Sequence, residues 1–348
     1  MLTKIIAEDL VRKVQAHIEN AEKILIVSHI GPDGDAIGSS LGLWHYLMTL
    51  GKEPTVIVPS VFPRFLNWMP GAEKILVYNE KREDSEKIKE ECKKIIEDAD
   101  LIFNLDFNEI KRAGEMADLI LNSSVPKILI DHHINPDNFA EVIISYPEIS
   151  STSELIFRLI CRMGDFDNIN LGCAECIYTG MMTDTGGFTF NSNKPEIYTI
   201  IYELLKIGID KDEIYRKVYN TYSTNRMRLM GYAISEKMKI YPEYRTALIT
   251  LSLDELKNYN HQIGYTEGFV NIPLQMRKVI FSIFIRQDPD KIKISFRSQG
   301  DFPANKVAAD LFGGGGHLNA AGGESYETIE ECVKKIEDAL PNYKAFLG

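Results

Sequence analysis

The sequence predicts an α/β protein of two domains, a parallel-sheet N-terminal domain followed by a smaller C-terminal α/β domain. Three observations carry that prediction. Short apolar runs alternate with helical stretches through the first half, the pattern of strand–helix–strand units. After Phe190 the texture changes to helical and tyrosine-rich, and a second set of strand-like runs starts near Arg245. At 348 residues, the chain is also longer than one ordinary domain. The expected divisions are 1–190, a helical linker over 191–240, and 241–348.

Residues 1–20 scatter Lys4, Glu8, Asp9, Arg12 and Lys13 among apolar positions, which predicts an amphipathic helix rather than a signal peptide. The run 24–27 (Ile-Leu-Ile-Val) predicts a strand leading to His29, Asp33 and Asp35, with a helix over 39–50. Residues 78–100 mix both signs of charge at helical spacing, as on a solvated helix. The run 101–105 stops at Asp106, and the run 127–130 stops at Asp131-His132-His133. A helix is expected over 151–162; the run 177–183 leads to Asp184 and fits either a strand or a helix. In the linker, Tyr198, Tyr202, Tyr215, Tyr219 and Tyr222 read as packing between helices. Residues 247–251 predict a strand. Residues 279–286 and 291–297 predict a hairpin around Asp288-Pro289-Asp290. A helix over 305–312 then runs into Gly313 to Gly316 and His317.

Composition narrows the function. Lys and Arg number 39 against 50 Asp and Glu, a net charge of −11, which argues against a broad basic surface for long duplex nucleic acid. A small anion can still be held where a few cations or metal ions converge. The apolar run 279–285 is too short to span a bilayer, so no membrane association is expected. Five scattered cysteines indicate no disulfide framework. Cys173 and Cys176 form a lone CxxC that reads as buried thiols in a helix, and a reducing cytoplasm is the expected setting. His17, His45 and His261 lack companions and read as packing or surface residues.

The chemistry sits where the apolar runs end. In open parallel sheets, ligands bind beyond the carboxyl ends of the strands, so acids far apart in sequence can converge in one crevice. His29, Asp33 and Asp35 lie within seven residues, among small residues that let the backbone turn. A Pro-Asp-Gly turn with a helix cap explains either acid singly, but not the histidine or the acids elsewhere. Several carboxylates in one crevice repel each other, and one or two divalent cations resolve the conflict. Two histidines and four aspartates suit a pair of metals about 3.5–4 Å apart with one bridging carboxylate. The nitrogen donors favour Mn²⁺ over Mg²⁺, with Zn²⁺, Fe²⁺ and Co²⁺ open alternatives. Four consecutive glycines let backbone amides approach a phosphate or form a hinge; no Lys-Ser/Thr follows, so a P-loop is not supported. Arg297, at the hairpin's end, and Arg286, on its partner strand, have the fork geometry for phosphate.

Taken in order, His29-x-x-x-Asp33-x-Asp35, Asp106, Asp131-His132-His133, Asp184 and the Gly-Gly-Gly-Gly-His run resemble the DHH/DHHA1 phosphoesterase superfamily over essentially the whole chain. The length and the stretch from Ser28 to Ser39 are similar to the bacterial nanoRNase/pAp phosphatase branch. The resemblance implies an active site in an inter-domain cleft and two divalent metal ions, Mn²⁺ foremost. His29, Asp33 and Asp106 would hold one ion; Asp35, Asp106, His132 and Asp184 would hold the other, with Asp106 bridging. His133 would act beside the phosphate, and Asp131 would orient a histidine. Gly314, Gly315, Gly316 and His317 would form a substrate-binding loop, with Arg297, and less directly Arg286, gripping a terminal phosphate. The implied activity is hydrolysis of short oligoribonucleotides and of 3′-phosphoadenosine 5′-phosphate by a homodimeric enzyme. Hydrolysis of pGpG, c-di-AMP or polyphosphate would use the same residues, and a non-catalytic metal- or nucleotide-binding regulator is the reading from another class.

Overall fold

The computed structural model describes residues 4–79 and 85–346. Part of the predicted charged helix, residues 80–84, lies outside the described residues, as do the first three residues of the predicted N-terminal helix. The chain divides into two compact units, one ending at Thr221 and the other beginning at Tyr222.

The first unit contains strands β1 (Lys23–Val27), β2 (Glu53–Ser60), β3 (Leu76–Asn79), β4 (Leu101–Leu105), β5 (Lys127–Asp131) and β6 (Val142–Ser145). All pair in parallel, in the order β3-β2-β1-β4-β5-β6. Its helices are α1 (Glu8–Asn20), α2 (Gly34–Thr49), α3 (Ser85–Asp98), α4 (Ala117–Asn122), α5 (Thr152–Met163), α6 (Leu171–Asp184), α7 (Pro195–Ile207) and α8 (Lys211–Tyr219). Successive strand residues point to opposite faces, so Ile24 and Ile26 join one core with residues of α1, α2, α5 and α6. Leu25 and Val27 join a second core with Cys92, Ile96 and Ile120. Because both faces of the central strands are covered, β1, β4 and β5 are buried along nearly their whole length, whereas the edge strands β3 and β6 are only partly buried. Strand order reverses at β1, and the crevice outside the carboxyl ends of β1 and β4 is the switch point where such sheets bind ligands.

Two outcomes of the sequence reading matter. The run ending at Asp184, which suits a strand or a helix, is helix α6. It packs on α2 so closely that a Cβ on Gly38 would lie 2.7 Å from the Cys176 carbonyl oxygen. That contact brings Asp184, on a helix, to acids positioned by the sheet. Secondly, α7 and α8 belong to the first unit: Ile197, Ile200, Leu204, Ile214 and Val218 all enter its core. These aliphatic residues do most of the packing expected of the tyrosines; Tyr219 packs against the same core, while Tyr198, Tyr202 and Tyr215 remain about half exposed. Cys173 and Cys176 are buried free thiols in α6, as expected.

The second unit opens with α9 (Thr224–Ser235) and contains β7 (Met238–Tyr241), β8 (Thr246–Leu251), α10 (Leu253–Asn258), β9 (Phe281–Gln287), β10 (Ile292–Ser298), α11 (Ala304–Phe312), β11 (Gly315–His317), β12 (Ala320–Ser325) and α12 (Ile329–Ala339). The sheet runs β11-β12-β10-β9-β8-β7, with β8 and β9 parallel and the other pairs antiparallel. The predicted hairpin is β9–β10, its turn closed by the Asp288 amide donating to the Lys291 carbonyl at 2.8 Å. The glycine run, expected as a loop, is largely strand: Gly315, Gly316 and His317 pair with Gly322, Ala321 and Ala320. A Cβ on Gly314 would lie 2.1 Å from the Gly322 carbonyl oxygen, so the absence of side chains lets β11 lie tightly against β12.

Candidate metal centre

Each acid is delivered by a strand end or a helix end. Past β1 come His29, with 4% of its surface exposed, and Asp33, the N-cap of α2. Asp33 Oδ1 accepts from the amides of Asp35 and Ala36 at 3.0 Å each, so the same residue caps the helix and faces His29. Asp35 follows in the first turn and is buried. Asp106 follows directly on β4 with φ at +65°, a left-handed conformation that Asp tolerates better than most residues, and its amide donates to the Ile130 carbonyl at 3.1 Å. Asp131 ends β5 fully buried, and Asp184 is the last residue of α6.

The side chains fall into two groups that meet at Asp106. Its Oδ2 lies 3.5 Å from His29 Nε2, which is 4.0 Å from Asp33 Oδ1. Its Oδ1 lies 3.6 Å from His132 Nε2, which is also 3.5 Å from Asp184 Oδ2 and 3.9 Å from Asp35 Oδ2. His29, Asp33 and Asp106 each offer a donor atom within 4.8 Å of the others, and so do Asp35, His132 and Asp184. His133 Nδ1 lies 2.7 Å from Asp131 Oδ1, while the His133 amide donates to Asp131 Oδ2 at 3.0 Å. Asp131 thus orients His133 through ring and backbone together.

The electrostatics are those of a site short of positive charge. Burial, and then the carboxylates of Asp35, Asp33, Asp184 and Asp131, push the Asp106 carboxyl well above its ordinary range. Burial also raises Asp35. At Asp33 burial opposes ionisation, but His29, the Ala36 amide and Arg112 outweigh it and hold the group low. At Asp131 burial is likewise outweighed, by His133 above all. Burial, reinforced by Arg112, lowers the His29 ring to about 4, so it is a neutral nitrogen donor at physiological pH. The His132 ring loses to burial but gains more from Asp184, Asp35 and Asp131 and sits above its ordinary value. Neutral imidazole and crowded carboxylate form a donor set suited to divalent cations, and bound cations would remove the repulsion that raises Asp106.

Sequence reasoning missed the residues that hold this cluster together. Thr152 and Ser153, in the first turn of α5, donate to Asp35 and Asp106. The Ser-Ser-Thr-Ser-Glu run announces a helix start, but nothing in it names which acids it will meet. Arg112 sits close enough to influence His29 and Asp33 and has no spacing signal. The glycines of α2 fall at every fourth position, a legible stripe whose partner helix only the fold reveals.

In the second unit, Arg286 makes a two-pronged ion pair with Asp288, Nε to Oδ1 at 2.8 Å and Nη2 to Oδ2 at 2.9 Å, and Nη1 donates to Thr266 Oγ1. Arg297 Nη1 donates to the Phe296 carbonyl at 2.9 Å. Both arginines line a cavity of about 130 Å³ on the β9–β10 face with Lys293, Ser295 and Thr266. Gly314 lies just before β11, whose last residue, His317, is half-buried.

A model of the DHH family N-terminal domain matches residues 23–181, and one of the DHHA1 domain matches residues 265–342. The chain belongs to the DHH family. Its DHH region includes five of the six acid and histidine positions gathered above together with Asp131 and His133; Asp184 lies just beyond it. Over 322 residues the chain is 29% identical to the bifunctional oligoribonuclease and PAP phosphatase NrnA of Thermus thermophilus, covering 90% of this chain and 89% of that protein. The crystal structure of an exopolyphosphatase-related protein from Bacteroides fragilis is similar at 57% identity and a TM-score of 0.92, covering 99% of each chain. The cyclic-di-AMP phosphodiesterase PdeA of Listeria monocytogenes is 27% identical over 98% of this chain, which spans half of that longer protein. No helix among the described residues is long and apolar enough to cross a membrane.

Proposed function

We propose that the chain is a metal-dependent phosphoesterase that hydrolyses short oligoribonucleotides and 3′-phosphoadenosine 5′-phosphate. The observation that carries this reading is Asp106, buried between two histidine-and-carboxylate groups with one oxygen toward each. The near full-length similarity to a protein named for both activities supports the substrate assignment. His29, Asp33 and Asp106 would hold one divalent cation, and Asp35, Asp106, His132 and Asp184 a second, with Mn²⁺ the ion we assign. Such a pair supplies positive charge beside the phosphorus and makes water a nucleophile at neutral pH.

The chain's own groups do the rest. Asp131, ionised and buried, fixes the His133 ring through its Nδ1, so His133 would be oriented to deliver a proton from Nε2 to the departing oxygen. Arg297 binds the substrate's terminal phosphate, assisted by Gly314, Gly315, Gly316 and His317. The role assigned to Arg286 is to shape that cavity, since Asp288 already takes two of its nitrogens. A cytoplasmic setting and a homodimer complete the proposal.

A second reading, hydrolysis of polyphosphate, is favoured by the name of the 57% identical Bacteroides fragilis protein. The test is release of phosphate and mononucleotide, with Mn²⁺ and with chelator, from 3′-phosphoadenosine 5′-phosphate, two- to five-residue RNA, pGpG, c-di-AMP and polyphosphate. Metal-dependent turnover of the first two is expected. Turnover confined to polyphosphate or c-di-AMP would transfer the same residues to that substrate.

A further inference from the structure

The first turn of α5 supplies no metal ligand in this reading, yet it makes three donor contacts to the cluster. Thr152 Oγ1 donates to Asp106 Oδ1 at 2.9 Å, the Thr152 amide to Asp35 Oδ2 at 2.6 Å, and the Ser153 amide to Asp35 Oδ1 at 2.9 Å. The two amides would be present whatever the side chains; the hydroxyl is a choice made by the sequence. Asp106 needs that choice. Its carboxylate turns about a broad, two-fold torsion, so the side chain alone does not hold one oxygen toward His29 and the other toward His132. A donor fixed on Oδ1 sets the rotation, and an oxygen with two lone pairs can accept it and still face a cation.

Thr152 is well placed to be that fixed donor. It is fully buried, and its β-branched side chain is stiff. The turn behind it is anchored: Ser151 Oγ accepts from the Glu154 amide at 3.0 Å, and Glu154 Oε2 accepts from the amide and hydroxyl of Ser150 at 3.1 and 2.5 Å. Glu154 Oε1 in turn takes Arg158 Nε at 2.8 Å, so this buried carboxylate has its charge matched inside the helix.

We infer that Thr152 is a positioning residue whose hydroxyl fixes the rotation of Asp106, so that the carboxylate presents one oxygen to each histidine-centred group; this rests on those groups being the metal seats. Thr152→Val keeps the shape and removes the donor. In titrations with Mn²⁺ alone, it should weaken binding by about 10- to 100-fold, the usual effect of losing a partner that orients a ligand. The kcat for 3′-phosphoadenosine 5′-phosphate should fall with it at saturating substrate and fixed Mn²⁺, while KM stays within about twofold. Thr152→Ser, which restores the hydroxyl, should recover most of both losses. Melting in chelator checks that each variant folds, and Thr152→Ala replaces the valine variant should that one fail. Wild-type Mn²⁺ affinity in the variant lacking the hydroxyl overturns the inference, as does a serine variant no better than valine. Wild-type protein that binds no Mn²⁺ overturns the metal reading itself, and the inference with it.

Discussion

The two units handle charge in opposite ways. In the first, Asp35, Asp106 and Asp131 are buried at one end of a parallel sheet, and Asp106 is raised well above its ordinary range by burial and four neighbouring carboxylates. In the second, the charges on the β9–β10 face include Arg286 with its own counter-ion, Asp288, two residues along. The Arg286–Asp288 pair is closed by the chain itself. On the proposed reading, the crowded carboxylates of the first unit would be closed by cations from outside, and that difference separates a structural ion pair from a proposed cation seat.

The contrast is broken most severely at Asp106. Asp106→Ala removes a ligand from both groups, and turnover should fall by more than the roughly 10²–10³-fold typical of losing one electrostatic stabiliser; steady-state rates at saturating Mn²⁺ measure it. Near-normal activity would end the bridging role. Gly180→Ala attacks the same unit through its packing. A Cβ there would lie 1.9 Å from Ser153 Oγ and 2.8 Å from Asp35 Oδ1. Thermal melting should show a loss of roughly 1–3 kcal/mol, the usual cost of overpacking, and Mn²⁺ binding should weaken because Asp35 is displaced.

In the second unit the arginines should separate. Arg297→Ala should raise KM several-fold for substrates with a terminal phosphate and leave kcat nearly unchanged, whereas Arg286→Ala should chiefly lower the melting temperature by orphaning Asp288. Equal KM effects from both would merge roles that the ion pair keeps apart. The smallest effect is expected at His261, whose ring burial, with help from Arg286, lowers to about 4. Unfolded, it takes up a proton near pH 6.5. The unfolded chain therefore binds more protons between these values, and stability rises with pH across about 4 to 6.5. Melting followed across that window should show a shallower slope in His261→Gln than in wild type.

How much of this was legible beforehand follows from the range of each signal. Strand ends at Val27, Leu105 and Asp131 are local, and the runs leading to them gave β1, β4 and β5 and most of the cluster, whereas β2, β3 and β6 were not read from the sequence. Asp184 was found by its acid but its element was left open, because an apolar run rich in Met, Gly and Thr suits either a strand or a helix until α2 packs against it. The glycine run was taken for a loop because glycines carry no strand pattern, although Gly315 and Gly316 pair with Gly322 and Ala321 in a tight hairpin close by in the chain. Thr152 stayed hidden because its partner Asp106 lies 46 residues away.

The most direct test of the central claim is the number of Mn²⁺ ions bound per chain at saturation, measured by calorimetric titration of metal-stripped protein at neutral pH. Two ions per wild-type chain, with binding disrupted at both sites in Asp106→Ala, is the predicted result. One ion or none in the wild type would contradict a carboxylate shared between two seats.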